Sequence, residues 1–118
     1  MRQAAIQNPS VGSTIEAIRK TLGLSQEALA RLLGVSVRTI VRWEKEGDHP
    51  PPLEWERIDL LRELVETAMD IMDERDVENW FARPKEFLSG QRPLDLLSSF
   101  RGILQIREVL EKVRWGIF

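Results

Sequence analysis

Two arginines, Arg38 and Arg42, stand four residues apart in the stretch VRTIVRWEK. That spacing puts both side chains on one face of a helix. An arginine fork matches the two hydrogen-bond acceptors that guanine shows in the major groove of DNA. Ser36, just before this stretch, is small and polar enough to let the start of such a helix approach base edges, whereas Val37, three before Ile40, could belong to the inward face or to the exposed N-terminus. Thr39, and Gln26 on the preceding helix, have the polar tips that bond phosphates, and a helix N-terminus at Gln26 is itself an anion site. The chemistry this set offers is nucleic-acid recognition, through Gln26, Ser36, Arg38, Thr39 and Arg42.

The elements that must position these residues follow from periodicity and caps. Ser25 reads as an N-cap, with Glu27 in the first turn where the helix dipole favours an acid. Ala28, Leu29, Leu32 and Leu33 make an apolar stripe. Gly34 breaks the helix and Ser36 caps the next, in which Ile40 and Trp43 face inward. Two short helices joined by a glycine turn, the second with arginines outward, can place that second helix in a major groove while the first crosses the backbone. Upstream, Ile15, Ile18 and Leu22 predict a helix from Ser13 to about Leu22, and residues 1–12 read as a flexible arm. Downstream, the prolines of GDHPPP mark a turn. A long helix is expected over 53–74, with Ile58, Leu61, Leu64, Val65, Ala68, Ile71 and Met72 on one side, widened by Leu60 and Met69. A stripe that broad suggests service to two bodies or to a dimer mate. A short helix ended by Pro84, a loop over 85–92, Pro93 opening PLDLL and a last helix from about Ser99 to Arg114 complete an all-α chain.

Composition narrows the class. Of 118 residues, 42% are hydrophobic and 31% charged, ordinary for a folded globular protein. With no cysteine there is neither a disulfide framework nor a thiolate metal site. No apolar run approaches the length of a membrane span, and the start lacks a secretory signal, so a cytoplasmic protein without membrane contact is expected. The net charge of −2 hides an asymmetry: residues 1–47 carry seven Lys/Arg against four Asp/Glu, and residues 48–118 ten against fifteen. A basic front half on an acidic chain points to a polyanion partner for the front alone. His49 stands alone in a proline-rich turn, and the acidic runs spread around helices rather than into one cage. No catalytic constellation, metal site or cofactor is expected, and the chain reads as no enzyme.

The stretch LGLSQEALARLLGVSVRTIVRWEKEG resembles the Xre/Cro-type helix-turn-helix: Ser-Gln-Glu-x-Leu-Ala, then Gly-Val-Ser, then Ile-x-x-Trp-Glu and a glycine. The resemblance implies base reading by Val37, Arg38 and Arg42 and phosphate contacts by Gln26 and Thr39. It also implies helix packing by Ala30, Val35 and Ile40, with Trp43 and Glu44 closing the domain. The tail, WFARPKEFLSGQRPLDLLSSFRGILQIREVLEKVRWGIF, resembles the toxin-binding domain of MbcA/ParS/Xre antitoxins. Trp80-Phe81, Pro84, Leu88, Gly90, Pro93 to Leu97, Gly102 and Trp115 to Phe118 carry the match. That resemblance implies an antitoxin in three parts: a flexible arm (1–12), an Xre-type DNA-binding domain with a long connecting helix (13–74) and a toxin-binding domain (75–118). Its implied partners are a RES-domain toxin, NAD-consuming or ADP-ribosylating, and operator DNA, with the antitoxin as a homodimer or in a higher toxin–antitoxin assembly. Toxin contacts are expected from Trp80, Arg83, Arg114, Trp115, Gly116, Ile117 and Phe118. Two alternatives stay open on the residues alone. Trp115, Ile117 and Phe118 could instead finish the chain's own small core, and the whole could be a stand-alone Xre-family regulator whose second half dimerises or senses a ligand.

Overall fold

The computed structural model describes residues 10–117. Phe118 and residues 1–9, most of the expected arm, lie outside the described residues. Among the described residues six α-helices follow in order: α1 (Val11–Thr21), α2 (Gln26–Leu33), α3 (Val37–Lys45), α4 (Pro52–Ile71), α5 (Glu74–Ala82) and α6 (Phe100–Arg114). Two 3-10 turns, Glu86–Leu88 and Pro93–Leu96, lie between α5 and α6. The fold is all-α, with a helix-turn-helix at the front and a smaller helical unit behind it.

Serines set most of the starts. The side chains of Ser10, Ser25, Ser36 and Ser99 each accept a hydrogen bond from a backbone N–H in the first turn of the helix they precede, satisfying a donor that no earlier carbonyl can reach. Ser10 corrects the expected arm: helix α1 opens at Val11, so residues 11 and 12 belong to the bundle. The long helix also differs from expectation. It begins at Pro52, a proline tolerated at the first helical position, and stops at Ile71. Met72 is extended (φ −140°, ψ 165°), and Asp73 precedes a separate α5. Met69, placed on the apolar stripe by its spacing, is 39% exposed.

Helix α4 organises the whole. Ile58, Leu61, Leu64, Val65 and Ala68 are buried on it, and α4 packs against α1, α5 and α6. One continuous core results, running from Ile15, Ile18, Leu29 and Ile40 at the front to Val77, Phe81, Leu97, Ile103, Ile106 and Leu110 at the back. The broad stripe therefore serves two halves of the same chain. Close approach completes the rear half. Gly102 faces the carbonyl of Leu96, where a Cβ would stand 1.7 Å from the oxygen, so only glycine lets α6 lie on the Pro93–Leu96 turn.

Arg57 rivets the halves together. Its guanidinium donates to the carbonyl of Leu33, at the end of α2, and to that of Ser98, just ahead of α6, at 3.2 Å. The Leu33 carbonyl is one of the groups a helix end leaves without an intrahelical partner. Arg57→Ala should strip both carbonyls of their donor and lower the unfolding free energy by about 2–3 kcal/mol. Chemical denaturation followed by circular dichroism should show a reduced midpoint and still a single transition.

Candidate nucleic-acid interface and the C-terminal tip

The helix-turn-helix is held by a buried charge. Glu44, on α3, has a side chain with no solvent exposure, and Arg19, on α1, keeps 14%. The carboxylate accepts from Arg19 Nε at 2.9 Å, Arg19 Nη2 at 3.2 Å and Gln26 Nε2 at 3.1 Å. Arg19 Nη1 donates to the carbonyl of Leu24 at 3.1 Å, fixing the link between α1 and α2. The hydrogen bond to Glu44, above all, raises the Arg19 pKa beyond its ordinary value and so secures its charge. A buried carboxylate is tolerated when its lone pairs are met in this way. Glu44 thus puts no free negative charge beside the arginines of the recognition helix.

The six residues singled out for DNA are distributed as follows. Ser36 Oγ accepts from Thr39 N–H at 3.1 Å and lies 2.9 Å from Thr39 Oγ1, so these two hydroxyls brace the start of α3. Val37 is half-buried against the core edge. Arg38 is exposed. Arg42 is half-buried and pairs with Asp48. Gln26 sits at the first position of α2 with its amide turned to Glu44. Of the six, Thr39 and Arg42 line one groove along the edge of α3; Arg38 is exposed, while Val37 packs on the core and the Gln26 amide is held by Glu44. Two partners escaped the sequence: Asp48, and the Arg19–Glu44 pair, whose members are separated by 25 positions.

At the other end, α6 closes with a Schellman cap. The N–H of Gly116 bonds to the carbonyl of Val113 at 3.1 Å and that of Ile117 to Lys112 at 2.9 Å. Gly116 takes the left-handed conformation this cap requires (φ 71°). The tip is ordered by its backbone while its side chains stay out: Trp115 is 74% and Ile117 68% exposed. Neither finishes the core, which closes at Leu110, with Val113 half-buried beyond it. Arg114 is exposed and pairs with Glu111 at 3.3 Å. Trp80 lies apart from the freely exposed tip residues in kind: it is half-buried, its ring edge-on to Phe81 at 5.1 Å, with the Lys85 ammonium 4.8 Å above it. Burial, with Arg83 adding like charge, lowers the Lys85 pKa from its ordinary value. Arg83 is exposed. Phe118 lies outside the described residues.

Comparison with known proteins places this arrangement. Residues 15–59 match the model of a helix-turn-helix family, and residues 60–116 that of the antitoxin Xre/MbcA/ParS C-terminal toxin-binding domain. A probable mycobacterial cidal antitoxin of Mycobacterium tuberculosis is 35% identical over 82 residues, covering 70% of each chain. The chain belongs to the Xre/MbcA/ParS antitoxin family. The mycobacterial cidal antitoxin MbcA of Mycobacterium bovis is 23% identical over 87 residues, 74% of this antitoxin and 77% of that protein. The crystal structure of the M. tuberculosis MbcT–MbcA toxin–antitoxin complex contains a chain of the same fold, with a TM-score of 0.74 at 20% identity, covering 93% of this antitoxin and 98% of that chain. Among the described residues no helix is long and apolar enough to cross a membrane.

Removing Arg19 leaves the Glu44 carboxylate charged and out of water with the Gln26 amide as its remaining side-chain donor. Arg19→Met should cost about 3–5 kcal/mol of stability, and Arg19→Met with Glu44→Leu should recover most of it. Thermal unfolding of the two variants checks this; a double variant no more stable than the single one would refute the assignment.

Proposed function

We propose that this antitoxin neutralises a cognate RES-domain toxin, one that consumes NAD or uses it to ADP-ribosylate a target, by covering its active site with the C-terminal half. We propose further that it binds operator DNA through α3, as a dimer or within a larger toxin–antitoxin assembly, and so represses its own operon in the cytoplasm. Arg38, Arg42 and Val37 would face bases, with Gln26, Ser36 and Thr39 toward the backbone; Trp80, Arg83 and residues 114–118 would meet the toxin.

The observation that carries the first part is the tip. A tryptophan and an isoleucine held outside a finished core by a rigid cap are costly in water and bring large, preorganised apolar area to a cleft. The cap matters because a frayed end would lose conformational entropy on docking. For the second part, support comes from a capped helix with Arg38 outward and from the positive charge of residues 1–47.

Co-purification of the antitoxin with its toxin, followed by an NAD-consumption assay with and without it, tests the pairing. Deleting residues 115–118 should abolish inhibition while leaving a folded protein with a cooperative thermal transition, since it removes the cap of α6 and none of the core. Gly116→Ala should weaken inhibition by about tenfold, since a side chain in the left-handed region costs about 1–2 kcal/mol. A truncation that unfolds instead would return the tip to the core.

Arg38→Ala should cost about 1–3 kcal/mol of operator binding without touching toxin inhibition. Operator affinity should also fall steeply with salt, because phosphate contacts release counterions. Gel shifts across a salt series read both, and a flat profile would speak against α3 as the DNA surface.

A further inference from the structure

Helix α3 ends at Lys45, and the chain reverses at Gly47 (φ 79°), which brings Asp48 back beside the helix. There Asp48 Oδ2 accepts from Arg42 Nε at 3.1 Å. Among the described residues this is the hydrogen bond that the Arg42 guanidinium makes, so its terminal nitrogens Nη1 and Nη2 keep their donors. The turn that carries Asp48 is itself braced. The His49 ring packs on Trp55 with centroids 5.2 Å apart, and its Nδ1 lies 2.7 Å from the carbonyl of Pro50, placed to donate to it. Thr39, Arg42, Asp48, His49 and Glu54 line one groove along the edge of α3.

A carboxylate on Nε does two things to an arginine. It fixes the plane of the guanidinium, and it restricts the side-chain rotamers that would otherwise have to be frozen on meeting a base. The edge left free is the one that matches guanine O6 and N7. The same carboxylate repels phosphate wherever the helix lands. The pair is partly solvated, with side chains 40% and 52% exposed, so it adds little to folding, and its removal should be felt in recognition rather than stability.

We propose that Asp48 is a positioning residue for base reading: from outside the recognition helix it presents Arg42 to a guanine in the major groove and raises specificity while lowering general affinity for DNA. This rests on the operator-binding role proposed above. The two effects have opposite signs, which separates the proposal from plain charge repulsion.

Selection from a pool of randomised duplex DNA tests it, using the full chain as wild type, Arg42→Ala and Asp48→Asn. The wild type should select a site with a guanine that Arg42→Ala no longer requires. Asp48→Asn should lose preference at that same guanine by about fivefold, part of what a bidentate contact provides, keep the rest of the site, bind unrelated duplex more tightly and melt at the wild-type temperature. Undiminished preference at that guanine in Asp48→Asn would overturn the proposal. So would an equal loss of preference at every position, or an Arg42→Ala protein that selects the same site as wild type. A wild type that selects no sequence would remove the operator-binding reading itself, and this proposal with it.

Discussion

The carboxylate of Glu44 is the constraint on which the front half turns. It lies on the recognition helix, out of water, and its hydrogen-bond donors come from two other helices: Arg19 on α1 and Gln26 on α2. Hydrophobic burial of Ile15, Leu29 and Ile40 brings these helices together but does not fix their rotation, because apolar contact is non-directional. Hydrogen bonds to a charge are directional and short. An arginine fork and an amide converging on one carboxylate allow a single orientation of α3 relative to its neighbours, and the orientation of α3 is what a DNA-reading surface must hold. The residue that faces inward on that helix thus governs what the outward residues can reach.

Rigidity then passes backward through α4. Its buried residues belong to the core of both halves, and Arg57 ties the last carbonyl of α2 to the backbone just ahead of α6. From there α6 runs to the capped tip. The two ends of the molecule have opposite designs on one frame. At the front, polar side chains are preset by intramolecular partners, as Ser36 is by Thr39 and Arg42 by Asp48. At the back, apolar side chains are left without partners but on an ordered backbone.

How much of this was legible in the sequence depends on the range of the interaction. The starts of α2, α3 and α6 could be read from Ser25, Ser36 and Ser99 because a cap acts within three residues. The start of α1 was missed by two residues because Gly12, a poor helix former, stands in its first turn, and Ser10 beyond it looked like part of an arm. The end of α4 was overrun because DIMDERD continues both the apolar spacing and the acidic face; nothing local announces that Met72 turns extended. The partners of Arg19 and Arg57 lie in distant segments, and an arginine on a helix reads as surface charge until its neighbours are known. Glu44, expected from the resemblance to close the domain, does so through Arg19 and Gln26 on two other helices, partners that its own segment does not name. At the C-terminus, composition permitted either burial in the chain's own core or exposure; the geometry of α6 settles on exposure for Trp115 and Ile117.

The seam between the two family matches, at residues 59 and 60, runs through the middle of α4, between the buried Ile58 and Leu61. A crossover there between two relatives would graft one lineage's helix face under another's core, on both sides at once. Joining a front half from one relative to a rear half from another at that seam would therefore disturb the packing of α4 on both of its buried sides. Divergence has an easier outlet at Trp115 and Ile117, whose exposed side chains can be exchanged without disturbing the core.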